Sequence, residues 1–193
     1  MEGTRMKILV TGGAGFIGTH LCRKLLHEGC DVRVLDNFSE QIHGGDADIV
    51  YDLSKVELIR GDIRDQSLVA SSIKDIDVIV HYAAETGTGQ SMYEISKYEE
   101  VNVGGTLNII EFLLQNKNNV KKIIVASSRS TYGEGAYSCN QHGDVFPQER
   151  QEQDMLNGYF EPRCPICNEF VSSIPTHELT PLNPLSYYAL TKQ

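Results

Sequence analysis

No run of 18 or more apolar residues occurs among the 193 residues, so no segment is long enough to cross a bilayer as a helix. The opening MEGTRMKILVTGG lacks a basic region followed by an apolar run and a cleavage site. That predicts no signal peptide and a cytoplasmic protein, with Met6 available as an alternative start. Positive charge is scarce: 17 Lys and Arg stand against 26 Asp and Glu, a formal net charge of -9. A phosphate backbone needs a basic surface, so this balance argues against nucleic acid as a partner. Cysteine is also wrong for a disulfide framework, because five is an odd number in a chain without a secretion signal. Cys22 and Cys30 read instead as small apolar residues of the interior. No internal repeat, low-complexity tract or block of like charge is present. What remains is a chain with 40% hydrophobic residues, enough for one domain with a sizeable core.

The first half alternates strand and helix. MKILVTG (6–12) is a short apolar run ending in glycine, as a buried parallel strand requires. Phe16, Ile17, Leu21, Leu25 and Leu26 fall at helical spacing over 16–27. DVRVLDN is a second strand and 38–55 a polar loop. VELIRGD (56–62) is a third strand, SLVASSI a short helix and DVIVHYAA a fourth strand. Residues 91–115 suit a long helix broken near Gly104–Gly105, and KKIIVASS (121–128) is a fifth strand. This order predicts an α/β, doubly wound parallel sheet with helices on both faces. Residues 133–183 then carry no sustained period. An unstructured stretch of that length is improbable inside a domain, so something other than an apolar core is expected to hold it. After Pro184, LSYYALTKQ looks like the first turns of a helix.

Between the first strand and the first helix lies VTGGAGFIG, with glycines at 12, 13, 15 and 18. Glycine lets a backbone turn tightly and approach a pyrophosphate, and the helix that follows offers unpaired N–H groups and a partial positive charge. Asp36 ends the second strand, where a carboxylate accepts from adenosine ribose hydroxyls and repels a 2′-phosphate. No arginine follows it, only Asn37 and Phe38, so NAD is expected rather than NADP. Asp62 is placed to meet the adenine edge and Ile63 to pack on its ring.

The segments TGGAGFIG, LDN, GDIRD, HYAAETGTGQS, NVGGT, SSRSTYGEG and YYALTK occur in this order. Together they resemble an extended short-chain dehydrogenase/reductase of the nucleotide-sugar epimerase/dehydratase family, over residues 6–133 and 180–193. The resemblance implies a Rossmann-type fold whose NAD contacts fall on Gly12, Gly13, Gly15, Phe16, Ile17, Gly18, Asp36, Asn37, Asp62 and Ile63. It also implies that Ala83, Ala84 and Glu85 line the cofactor cleft, with Asn102 near the active site. The family's Tyr-x-x-x-Lys falls on Tyr188 and Lys192, which share a helix face at i and i+4. Tyr188 is then the acid/base at a sugar hydroxyl, and Lys192 also holds the nicotinamide ribose. Ser128, four residues before Tyr132, is the family's serine or threonine. Similar dehydratases carry Asp-Glu directly after that position. Arg129 and Ser130 stand here instead, which favours an epimerase or oxidoreductase.

Cys139-Asn-Gln-His142 and Cys164-Pro-Ile-Cys167 form C-x2-H … C-x2-C, a set suited to tetrahedral zinc. Gly143 and Asn168 follow the two pairs, and both residue types tolerate a left-handed turn. Four protein ligands leave no open position, so such a metal is structural, with His177 as an outlying substitute. This part is similar to a subset of sugar epimerases with an inserted zinc ribbon. The whole chain, 1–193, reads as an NAD-binding domain with an insertion at 133–183. The family's remaining catalytic helix, sixth strand and small substrate domain are expected beyond residue 193. The implied activity is a nucleotide-sugar 4-epimerase on a dTDP- or UDP-hexose, homodimeric at full length, present here as an N-terminal fragment expected to bind NAD weakly and to turn over sugar poorly or not at all. The alternatives are a non-catalytic NAD-binding module and a sugar reductase of the same fold.

Overall fold

The computed structural model describes residues 5–44 and 54–193, which form two compact units. The first comprises residues up to Thr86 together with Glu94–Ala126. Its elements are β1 (Lys7–Thr11), α1 (Phe16–His27), β2 (Asp31–Asp36), α2 (Glu40–His43), β3 (Glu57–Arg60), α3 (Gln66–Ile73), β4 (Val78–His81), α4 (Ile95–Tyr98), α5 (Gly105–Gln115) and β5 (Lys122–Val125). The strands form one parallel sheet in the order β3-β2-β1-β4-β5.

Successive side chains on a strand point to opposite faces, and the sequence fills both. Ile8, Val10, Val32, Val34 and Val80 pack on one face with Cys22 of α1. Leu9, Leu35 and Ile79 pack on the other with Val69 and Ile73 of α3 and Ile109 of α5. Each such aliphatic contributes about 1.5–3 kcal/mol by leaving water. Burial pushes the Cys22 thiol up to about 11, as expected for an inert core sulfur. Cys30 is only half-buried. At the flank, β5 leaves Ile123, Ile124 and Val125 exposed, unlike the strands of a sheet covered on both faces.

Three local expectations are corrected. Residues 38–55 are not wholly loop, since α2 forms one turn there; residues 45–53 lie outside the described part. The helix expected from residue 91 starts at Ile95, after a separate 3-10 turn at Gln90–Met92. Nor does it break at Gly104–Gly105: a π turn, Glu99–Gly104, joins α4 to α5. Gly105 serves packing instead, because a Cβ there would lie 2.5 Å from Ile63 Cγ2.

The second unit comprises Gly87–Tyr93 and Ser127–Gln193. After a 3-10 turn at Arg129–Tyr132 it holds β6 (Tyr137–Cys139), β7 (Gly143–Val145), α6 (Glu152–Leu156), β8 (Ser172–Ser173) and α7 (Tyr187–Thr191). Its three strands form an antiparallel sheet in the order β7-β6-β8. No helix among the described residues is long and apolar enough to cross a membrane.

Candidate functional site

In the first unit the site is built around the β1–α1 loop. Gly12 has φ +68°, and a Cβ on it would lie 2.7 Å from the backbone N of Ala83. Gly18 has no room either: its Cβ would lie 2.3 Å from the carbonyl oxygen of Gly12. The glycines therefore let α1 sit down on the loop and the loop sit down on the end of β4. Gly13 packs on Val34 in the same way, and Gly15 is the N-cap of α1 with no side-chain cap. The first turn of α1 contains no acidic residue. Phe16 and Ile17 expose their side chains there, at 72% and 67%.

Asp36 is buried at the end of β2. Its Oδ2 accepts from Ala14 N–H at 2.9 Å and its Oδ1 from Phe38 N–H at 2.9 Å. The carboxylate thus ties the glycine loop to the β2 end while retaining further lone pairs. Asn37 donates to Asp62 at 3.1 Å. Arg64 clamps Asp62 at 2.9 Å through Nε and through Nη2. That guanidinium holds the Asp62 carboxyl down at about 2. Ile63 is buried in the apolar cluster, so its side chain belongs to the core and only its backbone is available to a base.

Behind β4, Ala83 and Ala84 are half-buried and Glu85 is buried. Asn102 is buried and forms a reciprocal pair with Glu85: its Oδ1 accepts from Glu85 N–H at 2.8 Å, and its Nδ2 donates to the Glu85 carbonyl at 3.2 Å. The Glu85 carboxylate meets the Lys97 ammonium at 3.1 Å. Asn102 therefore acts here on the backbone of its neighbour.

In the second unit, Ser128 caps the Arg129–Tyr132 turn. Its Oγ accepts from Ser130 N–H at 3.2 Å and from the Ser130 hydroxyl at 2.8 Å. Tyr188 and Lys192 lie on α7 and at its C-cap. Ser186 caps α7 by accepting from Ala189 N–H. Ser91 accepts from Tyr188 N–H at 3.0 Å, and Ser127 donates to the Lys192 carbonyl at 2.8 Å. These two serines fix both ends of the short helix. Neither stood out in the sequence, although both lie in motif segments, GTGQS and SSRSTYG. Burial holds the Lys192 ammonium below the usual lysine range. A cleft of about 570 Å³ beside the turn is lined by Ser127, Ser128, Arg129, Tyr132, Glu178 and Thr180, among others.

The same unit gathers Cys139, His142, Cys164 and Cys167, whose four ligand atoms all lie within 4.8 Å of one another and could hold a metal ion. His177 is not in the group. Cys139 Sγ lies 3.5 Å from His142 Nδ1 and 3.7 Å from Cys167 Sγ, and Cys164 Sγ lies 3.6 Å from His142 Nδ1. Gly143 and Asn168 follow the pairs with φ +68° and +64°. Backbone N–H donation from Gln141, with the His142 ring, draws the Cys139 thiol down to about 6, toward the thiolate that metals bind.

The dTDP-L-rhamnose 4-epimerase of Burkholderia thailandensis is 39% identical over 146 residues, 75% of this chain and 40% of its own length. The UDP-glucose 4-epimerase of Halalkalibacterium halodurans is 41% identical over 131 residues, 67% of this chain and 36% of its own. The structure of Thermus thermophilus UDP-glucose 4-epimerase in complex with NAD superposes with a TM-score of 0.64 at 28% identity, covering 97% of this chain and 47% of that one. The chain thus spans less than half the length of the relatives it matches. The NAD dependent epimerase/dehydratase profile matches residues 8–162, and with the parallel sheet and glycine loop already described this places the chain in the NAD-dependent epimerase/dehydratase family.

Proposed function

We propose that this chain is the cofactor-binding and proton-transferring part of an NAD-dependent nucleotide-sugar 4-epimerase acting on a dTDP- or UDP-linked hexose. The observation that carries the reading is the mouth of α1: a helix N-terminus without a side-chain cap, behind glycines that cannot take a Cβ, beside the buried Asp36. Amides and a partial positive charge there suit a pyrophosphate. Asp36 suits a ribose diol and opposes a 2′-phosphate, hence NAD rather than NADP. Asn37 and Asp62, with the backbone of Ile63, border the adenine side. Ala83, Ala84 and Glu85, the last held by Asn102, border the far side.

Bound NAD would supply the hydride acceptor and donor for the sugar C4. The protein's own residues manage the oxygen. Tyr188 takes the proton of the C4 hydroxyl and later gives it back. Lys192, a turn further along α7, is an ammonium that burial makes costly. Ser128 Oγ already accepts twice from Ser130, so its own proton is left to donate to the reacting oxygen. With Arg129 and Ser130 where dehydratases have an acidic pair, epimerisation is favoured over water elimination, in line with the names of the relatives. Calorimetry tests the reading. Saturable heat from NAD, abolished by Asp36→Ala, is expected. No heat from NAD at millimolar concentration overturns it.

The Cys139, His142, Cys164 and Cys167 group is proposed to hold a structural zinc. A tetrahedron with Zn–S of about 2.3 Å and Zn–N of about 2.0–2.1 Å has S···S edges of about 3.8 Å and S···N edges of about 3.6 Å. Three of the six edges match closely, 3.7 Å between Cys139 and Cys167 Sγ and 3.5 and 3.6 Å from His142 Nδ1 to Cys139 and Cys164 Sγ, and all four atoms lie within 4.8 Å of one another. The donor set and its spacing therefore fit the ion.

A further inference from the structure

His81 closes β4 and is buried, in a unit whose other buried strand side chains are mostly aliphatic. The sequence alone assigns it no role. Both ring nitrogens are engaged: Nδ1 lies 2.6 Å from Thr11 Oγ1, and Nε2 lies 3.1 Å from Thr106 Oγ1. The proton positions follow from the two hydroxyls. Thr106 donates its single hydroxyl proton to the Asn102 carbonyl, so it accepts from His81 Nε2–H. A neutral ring then accepts at Nδ1, and the Thr11 hydroxyl donates to it. Thr11 Oγ1 in turn accepts from Ala83 N–H at 3.2 Å. The bonds form one directed chain: Ala83 N–H to Thr11, Thr11 O–H to His81, His81 N–H to Thr106, Thr106 O–H to Asn102.

Both ends of this chain are cofactor residues. One end fixes Ala83, whose backbone N sits against Gly12 with no room for a Cβ between them. The other fixes the backbone of Asn102, whose side chain holds Glu85 at both N–H and C=O. We infer that His81 is a positioning residue: its imidazole joins the glycine loop to the Ala83–Glu85 wall, so that the two sides of the cofactor site keep one spacing. The inference rests on the reading of the glycine loop as an NAD site. A fixed spacing suits a dinucleotide bound on both sides, because a preorganised site loses less to ordering when the ligand binds.

The test uses NADH fluorescence with the chain as it is, and with Thr11→Val and Thr106→Val, which keep side-chain shape and remove one hydroxyl each. Each is expected to weaken NADH binding about two- to tenfold, the net worth of one buried hydrogen bond. The two threonines touch opposite nitrogens of one ring, so cutting either breaks the same chain. The double variant is expected to bind no worse than the weaker single variant. Nitrogen-15 spectra at neutral pH are expected to place the His81 proton on Nε2. Losses that simply multiply in the double variant, or a proton on Nδ1, overturn the inference while leaving the cofactor reading intact. Absence of NADH binding by the unaltered chain overturns both.

Discussion

The two units solve the problem of staying folded in different ways. The first has aliphatic layers on both faces of a five-stranded sheet, from Ile8, Val10 and Val34 on one side to Leu9, Ile79 and Ile109 on the other. In the second, the apolar cluster is Tyr137, Val145 and Val171 around Cys139 and Cys164, with Cys167 packed against it. Half of that small core consists of the very thiols that face His142. Strands of two or three residues cannot bury enough surface to offset the entropy of ordering them. The first unit is therefore driven by water leaving hydrocarbon. On the zinc reading, the second depends on a bound ion, as small domains with thin cores do.

Three experiments put that contrast at risk. The largest effect is expected from metal removal. A structural zinc contributes roughly 10–16 kcal/mol in isolated knuckles, so a strong chelator or Cys164→Ser is expected to abolish amide protection across 133–183 while the β1–β4 amides keep theirs. Hydrogen exchange reads this directly, and equal loss in both units would erase the distinction. Next comes Ile79→Ala, at a fully buried position. It is expected to lower stability of the first unit by about 2–5 kcal/mol and leave metal content unchanged, as urea titration and metal analysis would show. The smallest effect concerns Asp62. Its folded pKa of about 2 lies below the usual value of about 3.9, so its contribution is present above about pH 4 and fades as pH falls toward 2. Because the pair with Arg64 is partly exposed, Asp62→Asn is expected to cost under about 1 kcal/mol at pH 7. The variant's acid unfolding curve should then meet that of the parent near pH 2. A gap that persists there would mean that Asp62 acts through something other than its charge.

The sequence was legible where burial imposes a period. The helix over Phe16–His27 and the five parallel strands follow from apolar spacing and glycine punctuation. The four clustered Cys and His residues were legible because their chemistry is local: two short spacings, each followed by a residue able to turn left-handed. The π turn at Glu99–Gly104 was not, since one extra residue per turn leaves the composition of a helix unchanged. Neither were β6, β7 and β8, which are too short to show alternation. Ile63 was placed against a base from its neighbours in RGDI, yet the space left by Gly105 draws it into the core. His81 escaped notice because one imidazole in an apolar strand reads as core until the partners of its two nitrogens are known.

Within the second unit, Asn183 N–H donates to the Thr131 carbonyl at 2.8 Å, and Gly133, at φ +61°, lies so close that a Cβ would sit 2.4 Å from the Asn183 carbonyl oxygen. The polypeptide leaves and re-enters at one doorway. Whatever hangs between costs only a logarithm of its length to close. A change in the length of that appendage is therefore cheap, and Ser186 and Tyr188 would still arrive at the same address.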